Sequence, residues 1–380
     1  MPDRRTWLPA AAGAALAVVL VLSGLGQEAW QRGYDLAVYR DGARDLLAGR
    51  DLYLRETYRG HWFVYPPFAA VLFLPLLLLP PAADLLVWDA VLLAVTAWAC
   101  RKVFGSVAAG WFVGLGTAVV LVSDPFREAL VLGQVSPLVV VGLVVGCLYG
   151  GRGGAVLAGL SGAVKVTPAL VVVAFVNRRA RWWFASAVAV VGLAATGVGV
   201  LVAPGSAVSY FGSLVWDSAR VAAPGTTTNN SLAGAFAHAG LSSAVSSALG
   251  LVLAVPLLVL VVVVALRADW LERSDRLRFG LLVSLVTCLV SPVTWSHHAL
   301  AAPIAAVALL AWGRVRWLVV LAGVPWLLPV LHWGALAAQT RPVSLLVLVA
   351  LLALTPGGPA RGRPAPPAAT APAAAPPAPS

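Results

Sequence analysis

Apolar runs of spanning or near-spanning length recur along the whole chain, at about residues 7–25, 66–80, 84–101, 107–122, 134–150, 154–176, 182–203, 246–266, 278–292, 298–312, 315–331 and 343–355. A helix needs roughly 20 apolar residues to cross about 30 Å of hydrocarbon, so the pattern predicts about twelve transmembrane helices. Placing Arg4 and Arg5 in the cytoplasm and alternating puts Arg178, Arg179 and Arg181 inside, then Arg267, Arg273, Arg276 and Arg278, then Arg314 and Arg316, and finally Arg361 and Arg363. The positive-inside rule is met repeatedly. It fails at Arg101 and Lys102, which this alternation leaves outside, and the count is weakest at the short runs around Pro80-Pro81. Two long loops fall on the outside, residues 26–65 and 204–245.

Composition agrees with this reading. Sixty per cent of the residues are hydrophobic and 11% are charged, and the mean hydropathy is +0.90, whereas a soluble domain carries about a quarter charged residues. The chain reads as an all-α polytopic membrane protein, multi-pass in the cell membrane. Its net charge of +11 sits mostly in short loops and reports topology, so no nucleic-acid partner follows from it. Arg4 and Arg5 before an apolar core raise the question of a signal peptide, but no A-x-A site follows the run, which reads as a retained first helix. Residues 1–355 form the transmembrane domain, and residues 356–380 form a Pro/Ala-rich cytoplasmic tail expected to be disordered. Cys100, Cys147 and Cys288 lie in apolar runs without metal-type spacing and read as small buried hydrophobes.

Candidate chemistry concentrates in the polar breaks. Residues 33–68 hold Asp35, Asp41, Asp45, Asp51 and Glu56, five of the 15 acidic residues. Asp35, about ten residues after the first apolar run ends and so close to the membrane surface, is the candidate general base, with a solvated face or helix cap as the alternative. Tyr39 follows one turn later as a substrate-contact candidate. Residues 41–53 read as a short amphipathic surface helix in which Asp41, Asp45 and Asp51 are solvated or paired with Arg44 and Arg50 rather than catalytic. Tyr65-Pro66-Pro67 opens the next helix, where proline at the first turn loses no hydrogen bond. Gln134, in Gly133-Gln134-Val135-Ser136, suits either a sugar contact or a helix cap, and the alternation places it on the cytoplasmic side. Lys165 is one of only two lysines and lies inside an apolar run. An intramembrane cation is costly unless paired, so it binds a lipid phosphate or snorkels to the surface. In the second outer loop, Arg220 and the Thr226–Ser231 stretch with Asn230 offer groups that bind sugars, although turn chemistry also explains Asn-Asn-Ser. Ser296-His297-His298 lacks a third ligand at helical spacing, which argues against a metal; one histidine is a candidate to orient Asp35 or hold a phosphate.

Taken together these segments resemble glycosyltransferase family 87 of the GT-C superfamily, the polyprenyl-phosphate-mannose-dependent α-mannosyltransferases of actinobacteria. The resemblance rests on Asp35-x-x-Val38-Tyr39 with Gly49-x-Asp51-Leu52-Tyr53, Tyr65-Pro66-Pro67-Phe68, Gly133-Gln134-Val135-Ser136, Lys165-x-x-Pro168, Asn230-Ser231-Leu232, and Ser291-Pro292 through Ser296-His297-His298. Asn229-Asn230-Ser231 departs from the Asn-Gln-Ser form such proteins carry. The resemblance implies a GT-C-like bundle with an outward-facing site, Asp35 as base with His297 and His298 beside it, a polyprenyl-phosphate-sugar donor, and a glycolipid or glycan acceptor among membrane lipids. A polyprenyl phosphate leaves with little acid assistance, so one carboxylate suffices for a single inverting displacement, and no metal or other cofactor is expected. The competing class is a transporter or lipid flippase, whose expected inverted repeats and broken midplane helices are not evident.

Overall fold

The computed structural model describes residues 4–22, 31–328, 330 and 334–355. The Pro/Ala tail expected at residues 356–380 lies outside them. Every regular element among the described residues is helical. Those that frame the bundle and the site are, in order, α1 (Arg4–Leu22), α2 (Tyr34–Leu47), α3 (Pro67–Phe73, prolonged by a 3₁₀ turn Leu74–Leu78), α4 (Asp84–Gly105), α5 (Trp111–Val122), α6 (Asp124–Leu132), α7 (Ser136–Tyr149) and α8 (Gly151–Val164). A 3₁₀ segment, Thr167–Val176, leads to α9 (Arg178–Val202), α10 (Ser243–Arg267), α11 (Arg273–Val290), α12 (Ala301–Ala311), α13 (Arg316–Gly323) and α14 (Thr340–Leu354).

Among the described residues three helices are long and apolar enough to cross a membrane: Arg178–Val202, Ser243–Arg267 and Leu336–Leu354. In the first two only 22% and 28% of the apolar window is buried, so most of their greasy surface faces outward, where lipid suits it. The central element is α11. Its residues are buried without a break from Arg276 to Leu289, against α7, α10 and α14. Gly280 makes this possible, since a Cβ there would stand 2.7 Å from Cys147 Cβ on α7.

The bundle has two chemically different ends. At one, Arg101 lies over the Trp7 ring, and Arg101, Lys102, Tyr149 and Arg273 line a cavity of about 280 Å³. Arg276 donates to Leu148 O (3.2 Å), Arg179 pairs with Asp269 (2.9 Å), and Arg278 donates to Thr355 O (2.5 Å) at the same end. At the other end the polar breaks of the sequence meet: Gly33 N–H donates to Val131 O (2.7 Å), Leu52 N–H to Ser206 Oγ (3.1 Å), and Asn230 N–H to Thr294 O (2.6 Å).

Two apolar runs behave differently from the sequence pattern. The run at 66–80 does not travel between the ends. It starts beside Tyr65, and its final carbonyls, Leu76 O and Leu79 O, accept from Arg40 Nη1 on α2 at 2.7 and 3.2 Å. Arg40 also pairs with Asp84 at the start of α4 (3.0 Å), and the Leu85 side chain lies against both Gly33 and Gly133. Pro75 and the Pro80-Pro81 pair interrupt the helix, and seven α-helical plus five 3₁₀ residues rise only about 20 Å. The run at 154–176, conversely, breaks in two. Lys165 is extended (φ −131°, ψ 133°), and the 3₁₀ segment doubles back along α8, so closely that a Cβ on Gly162 would stand 3.2 Å from Ala169 Cα. The two differences cancel in number but reverse the direction of everything between them. Arg101 and Lys102 therefore join Arg273, and Gln134 joins Asp35, correcting the placement of Gln134 on the opposite side.

The amphipathic helix also begins earlier than residue 41. Gly33, in the left-handed region (φ 67°), starts α2 at Tyr34, and Gly49 (φ 64°) follows its end. Asp35 consequently occupies the first turn, where the helix dipole favours a carboxylate. The pairing expected of its neighbours is present for two of the three carboxylates, Arg44 with Asp41 (2.9 Å) and Arg50 with Asp45 (2.7 Å), joined by Arg55 (2.8 Å), whereas Asp51 accepts from Tyr53 N–H (2.8 Å).

Candidate active site

Two left-handed glycines bring the acidic end of α2 against the end of α6. Gly33 opens α2, and Gly133 (φ 68°) closes α6, where a Cβ would approach Leu36 Cβ to 2.7 Å. The residue after Gly133 benefits. Gln134 Nε2 donates to Asp35 Oδ2 at 2.7 Å, while its Oε1 accepts from Tyr65 OH at 2.9 Å and from Tyr39 OH. The two phenols lie 2.9 Å apart, and Tyr39 stacks on Phe73 with centroids 4.3 Å apart. Asp35 Oδ1 has no partner among the described residues. Burial raises the Asp35 pKa above the ordinary carboxylate value; the charges of His297 and Lys165 and the Gln134 bond oppose the rise, and Glu128 adds to it.

Lys165 approaches from the break between α8 and the 3₁₀ segment. Its Nζ donates to Ser136 Oγ (2.7 Å) and lies 5.4 Å from the Tyr65 ring centroid. The chain break is what lets the ammonium reach this end of the bundle: a continuous helix would have held it mid-span. Arg220 stacks over Trp62 at 4.0 Å and donates to Tyr53 O, while Tyr53 OH donates to Tyr65 O (2.7 Å). Lys165, Arg220, Tyr65, Ser136 and His298 line a cavity of about 250 Å³, whose other walls include Val139, Leu143 and Leu214. Cations together with aliphatic walls suit an anionic head on an apolar tail.

The adjacent histidines diverge. His298 faces the cavity, whereas His297 is buried and bound to Glu128, whose Oε2 accepts from His297 N–H at 2.8 Å and lies 2.9 Å from Nδ1. His297 Nε2 is buried and has no partner among the described residues. Burial works to raise the Glu128 pKa, but the His297 charge and bonds and the Arg341 charge outweigh it, and the carboxyl is held below its ordinary value. Arg341, fully buried, donates to Asp124 Oδ2 (2.6 Å) and to Ser296 Oγ, tying α6 to the turn that carries the histidines.

The sequence candidates thus fall into three groups. Lys165, Arg220 and His298 form part of the cavity wall; Asp35, Gln134, Tyr39 and His297 lie outside its described lining, with Gln134 bonded to the lining residue Tyr65. Asn230 is fully buried, and its amide Nδ2 donates to Thr228 O (3.0 Å) and Thr294 O (3.1 Å), so it fastens one loop to another and offers no surface to a sugar. Glu128, Asp124 and Arg341 were not candidates in the sequence. Asp124 and Glu128 were visible as a polar break between two apolar runs, but the alternation had set that break at the wrong end.

The glycosyltransferase family 87 model matches residues 63–292, a span that leaves Asp35 and His297 on its flanks. The chain is 34% identical over 364 residues to a polyprenol-phosphate-mannose-dependent alpha-(1-2)-phosphatidylinositol pentamannoside mannosyltransferase of Mycobacterium tuberculosis (strain CDC 1551 / Oshkosh), covering 86% of this chain and 81% of that protein. It is 32% identical to the protein of the same description from Mycolicibacterium smegmatis, covering 82% of each. A polyprenol-phosphate-mannose-dependent alpha-(1-2)-phosphatidylinositol mannoside mannosyltransferase of the latter organism is 29% identical over 70% of this chain and 66% of its own length. No solved structure matches the chain.

Proposed function

This chain belongs to glycosyltransferase family 87 and is a membrane glycosyltransferase, and we propose that it moves mannose from polyprenyl-phosphate-mannose to a hydroxyl of a phosphatidylinositol mannoside on the outer face of the plasma membrane. The observation that carries the reading is the meeting of Asp35, through Gln134 and Tyr65, with a cavity edged by Lys165 and Arg220. The donor phosphate sits against Lys165, Arg220 and His298, and the prenyl chain follows the aliphatic walls toward lipid. The acceptor hydroxyl approaches on the Asp35 side. Its oxygen attacks the anomeric carbon as its proton passes to the Asp35 carboxylate, the bond from that carbon to the phosphate oxygen breaks, and polyprenyl phosphate leaves. An in-line displacement needs base and leaving group on opposite sides of the reacting carbon, which fits a carboxylate outside the phosphate-binding wall. The product linkage is inverted relative to the donor.

The topology that serves this chemistry has twelve crossings: α1, α4, α5, α7, α8, the 3₁₀ segment Thr167–Val176, α9, α10, α11, α12, α13 and α14. The run at 66–80 stays at the outer surface. Arg101, Lys102, Arg152, Arg179 and Arg273 then share the cytoplasmic end, and the local failure of the positive-inside rule disappears. A transporter or flippase is not favoured, because the relatives are mannosyltransferases. The test is direct. Purified protein supplied with labelled polyprenyl-phosphate-mannose and phosphatidylinositol mannosides should yield a labelled glycolipid that α-mannosidase degrades; label remaining wholly in the donor would refute the reading.

A further inference from the structure

Glu128 has no assigned part in the transfer, yet it makes both of the polar contacts that hold His297. Its Oε2 receives the backbone N–H at 2.8 Å and stands 2.9 Å from ring Nδ1. An ionised carboxylate can only accept, so the proton of that contact belongs to Nδ1. The other ring nitrogen, Nε2, is buried and without a partner among the described residues. A histidine serving only to pack the core would satisfy both nitrogens, because a buried, unpaired polar atom is costly. A second tether fixes the register independently: Arg341 bridges Asp124, one turn before Glu128 on α6, to Ser296, the residue before His297. The titratable groups that interact with the ring are Glu128, Asp35 and His298; Arg341 acts on Glu128, and Lys165 on Asp35 and His298. Of these Glu128 alone touches the ring through a polar contact.

We propose that Glu128 is a positioning residue for sugar transfer: by accepting both N–H groups of His297 it fixes the proton on Nδ1 and reserves Nε2 for a substrate oxygen between Asp35 and the phosphate-binding cavity. This rests on the mannosyl-transfer reading above. A neutral ring would receive a bond from the acceptor hydroxyl at Nε2, and a protonated ring would donate one to a donor oxygen. In either case the carboxylate acts through the imidazole and does not touch the sugar. Carboxylates that orient metal-bound histidines change activity about 10- to 100-fold when removed, and the same scale is expected for a carboxylate that orients a histidine toward substrate.

Steady-state transfer from labelled polyprenyl-phosphate-mannose should be measured for the parent, Glu128→Ala, Glu128→Gln, His297→Ala and both double variants. Glu128→Ala should lower kcat by about 10- to 100-fold with KM for donor and acceptor within about twofold of the parent. Glu128→Gln, which keeps an oxygen able to accept from Nδ1–H, should recover part of that loss. In the His297→Ala background neither Glu128 substitution should lower kcat further. Parental kcat in Glu128→Ala, or losses that multiply in the double variants, would overturn the assignment. If Glu128→Ala does not fold, Glu128→Gln with and without His297→Ala carries the same comparison. A parent that transfers no mannose would instead sink the functional reading, so the two failures are distinguishable.

Discussion

Gln134→Leu removes the one hydrogen bond that the described residues give to the Asp35 carboxylate. The substitution keeps the side-chain volume, and Tyr39 and Tyr65 remain bonded to each other across 2.9 Å. What disappears is the 2.7 Å bond from Nε2 to Oδ2, together with the bonds that Oε1 accepts from Tyr65 OH, Tyr39 OH and Val135 N–H; of these only the first touches Asp35. A hydrogen bond to a charged group contributes about 1.5–3 kcal/mol, and about 1.36 kcal/mol corresponds to one pKa unit. Asp35 is partly exposed, which screens the interaction and places the change near the lower end, about one unit. The sign follows from which form works. The base is the carboxylate, burial already lifts its pKa above the ordinary value, and Gln134 favours the charged form. Removing that bond lifts the pKa further, so the acid limb of kcat/KM should move about one pH unit upward, while the high-pH plateau falls less than about tenfold. Initial rates from labelled donor over a pH series, for the parent and Gln134→Leu, make the comparison. An acid limb that stays in place would show that the Asp35–Gln134 bond does not govern the titrating group.

Two further outcomes follow from the site and the topology. Lys165→Ala removes a cation from the cavity wall that contacts the donor in both ground and transition states, so it should raise donor KM more than it lowers kcat; unchanged donor kinetics would return Lys165 to packing against Tyr65. Glu56→Cys, exposed at the site end, should react with an impermeant maleimide in intact cells, whereas Lys102→Cys should react only after permeabilisation, and the reverse would overturn the orientation. The native cysteines are buried and should give little background.

Much of the site was legible as chemistry and little of it as geometry. Asp35, Gln134, Lys165, Arg220 and the histidine pair stood out because polar groups are expensive in so apolar a chain, and the expense marks them whatever their partners are. Their assembly was not legible, because it depended on the two runs at 66–80 and 154–176. Hydropathy counts apolar residues and is blind to a run that turns back at prolines or breaks at a lysine. Arg101 and Lys102 were the visible symptom of that error, and Arg40, whose buried pairing with Asp84 anchors the turned-back run, was its hidden cause. Asn230 is a different case: its amide nitrogen donates to the Thr228 and Thr294 carbonyls inside the protein, and no local pattern distinguishes that use from a sugar contact. Glu128 escaped attention because a lone glutamate in a short polar break resembles a solvated loop until His297, 169 positions away, is found on it.

The central claim is that Asp35 takes the proton from the acceptor. Asp35→Asn keeps the size of the side chain and a carbonyl oxygen able to accept from Gln134, but it cannot take up a proton at neutral pH. A base in the transition state contributes about 10²- to 10⁴-fold, or roughly 3 to 5 kcal/mol. Product formation from labelled polyprenyl-phosphate-mannose should therefore fall by that factor in the purified variant, with donor binding to the same sample retained. Asp41→Asn, whose carboxylate pairs with the exposed Arg44, should transfer at close to the parental rate. Sugar transfer by Asp35→Asn at close to the parental rate would contradict the account.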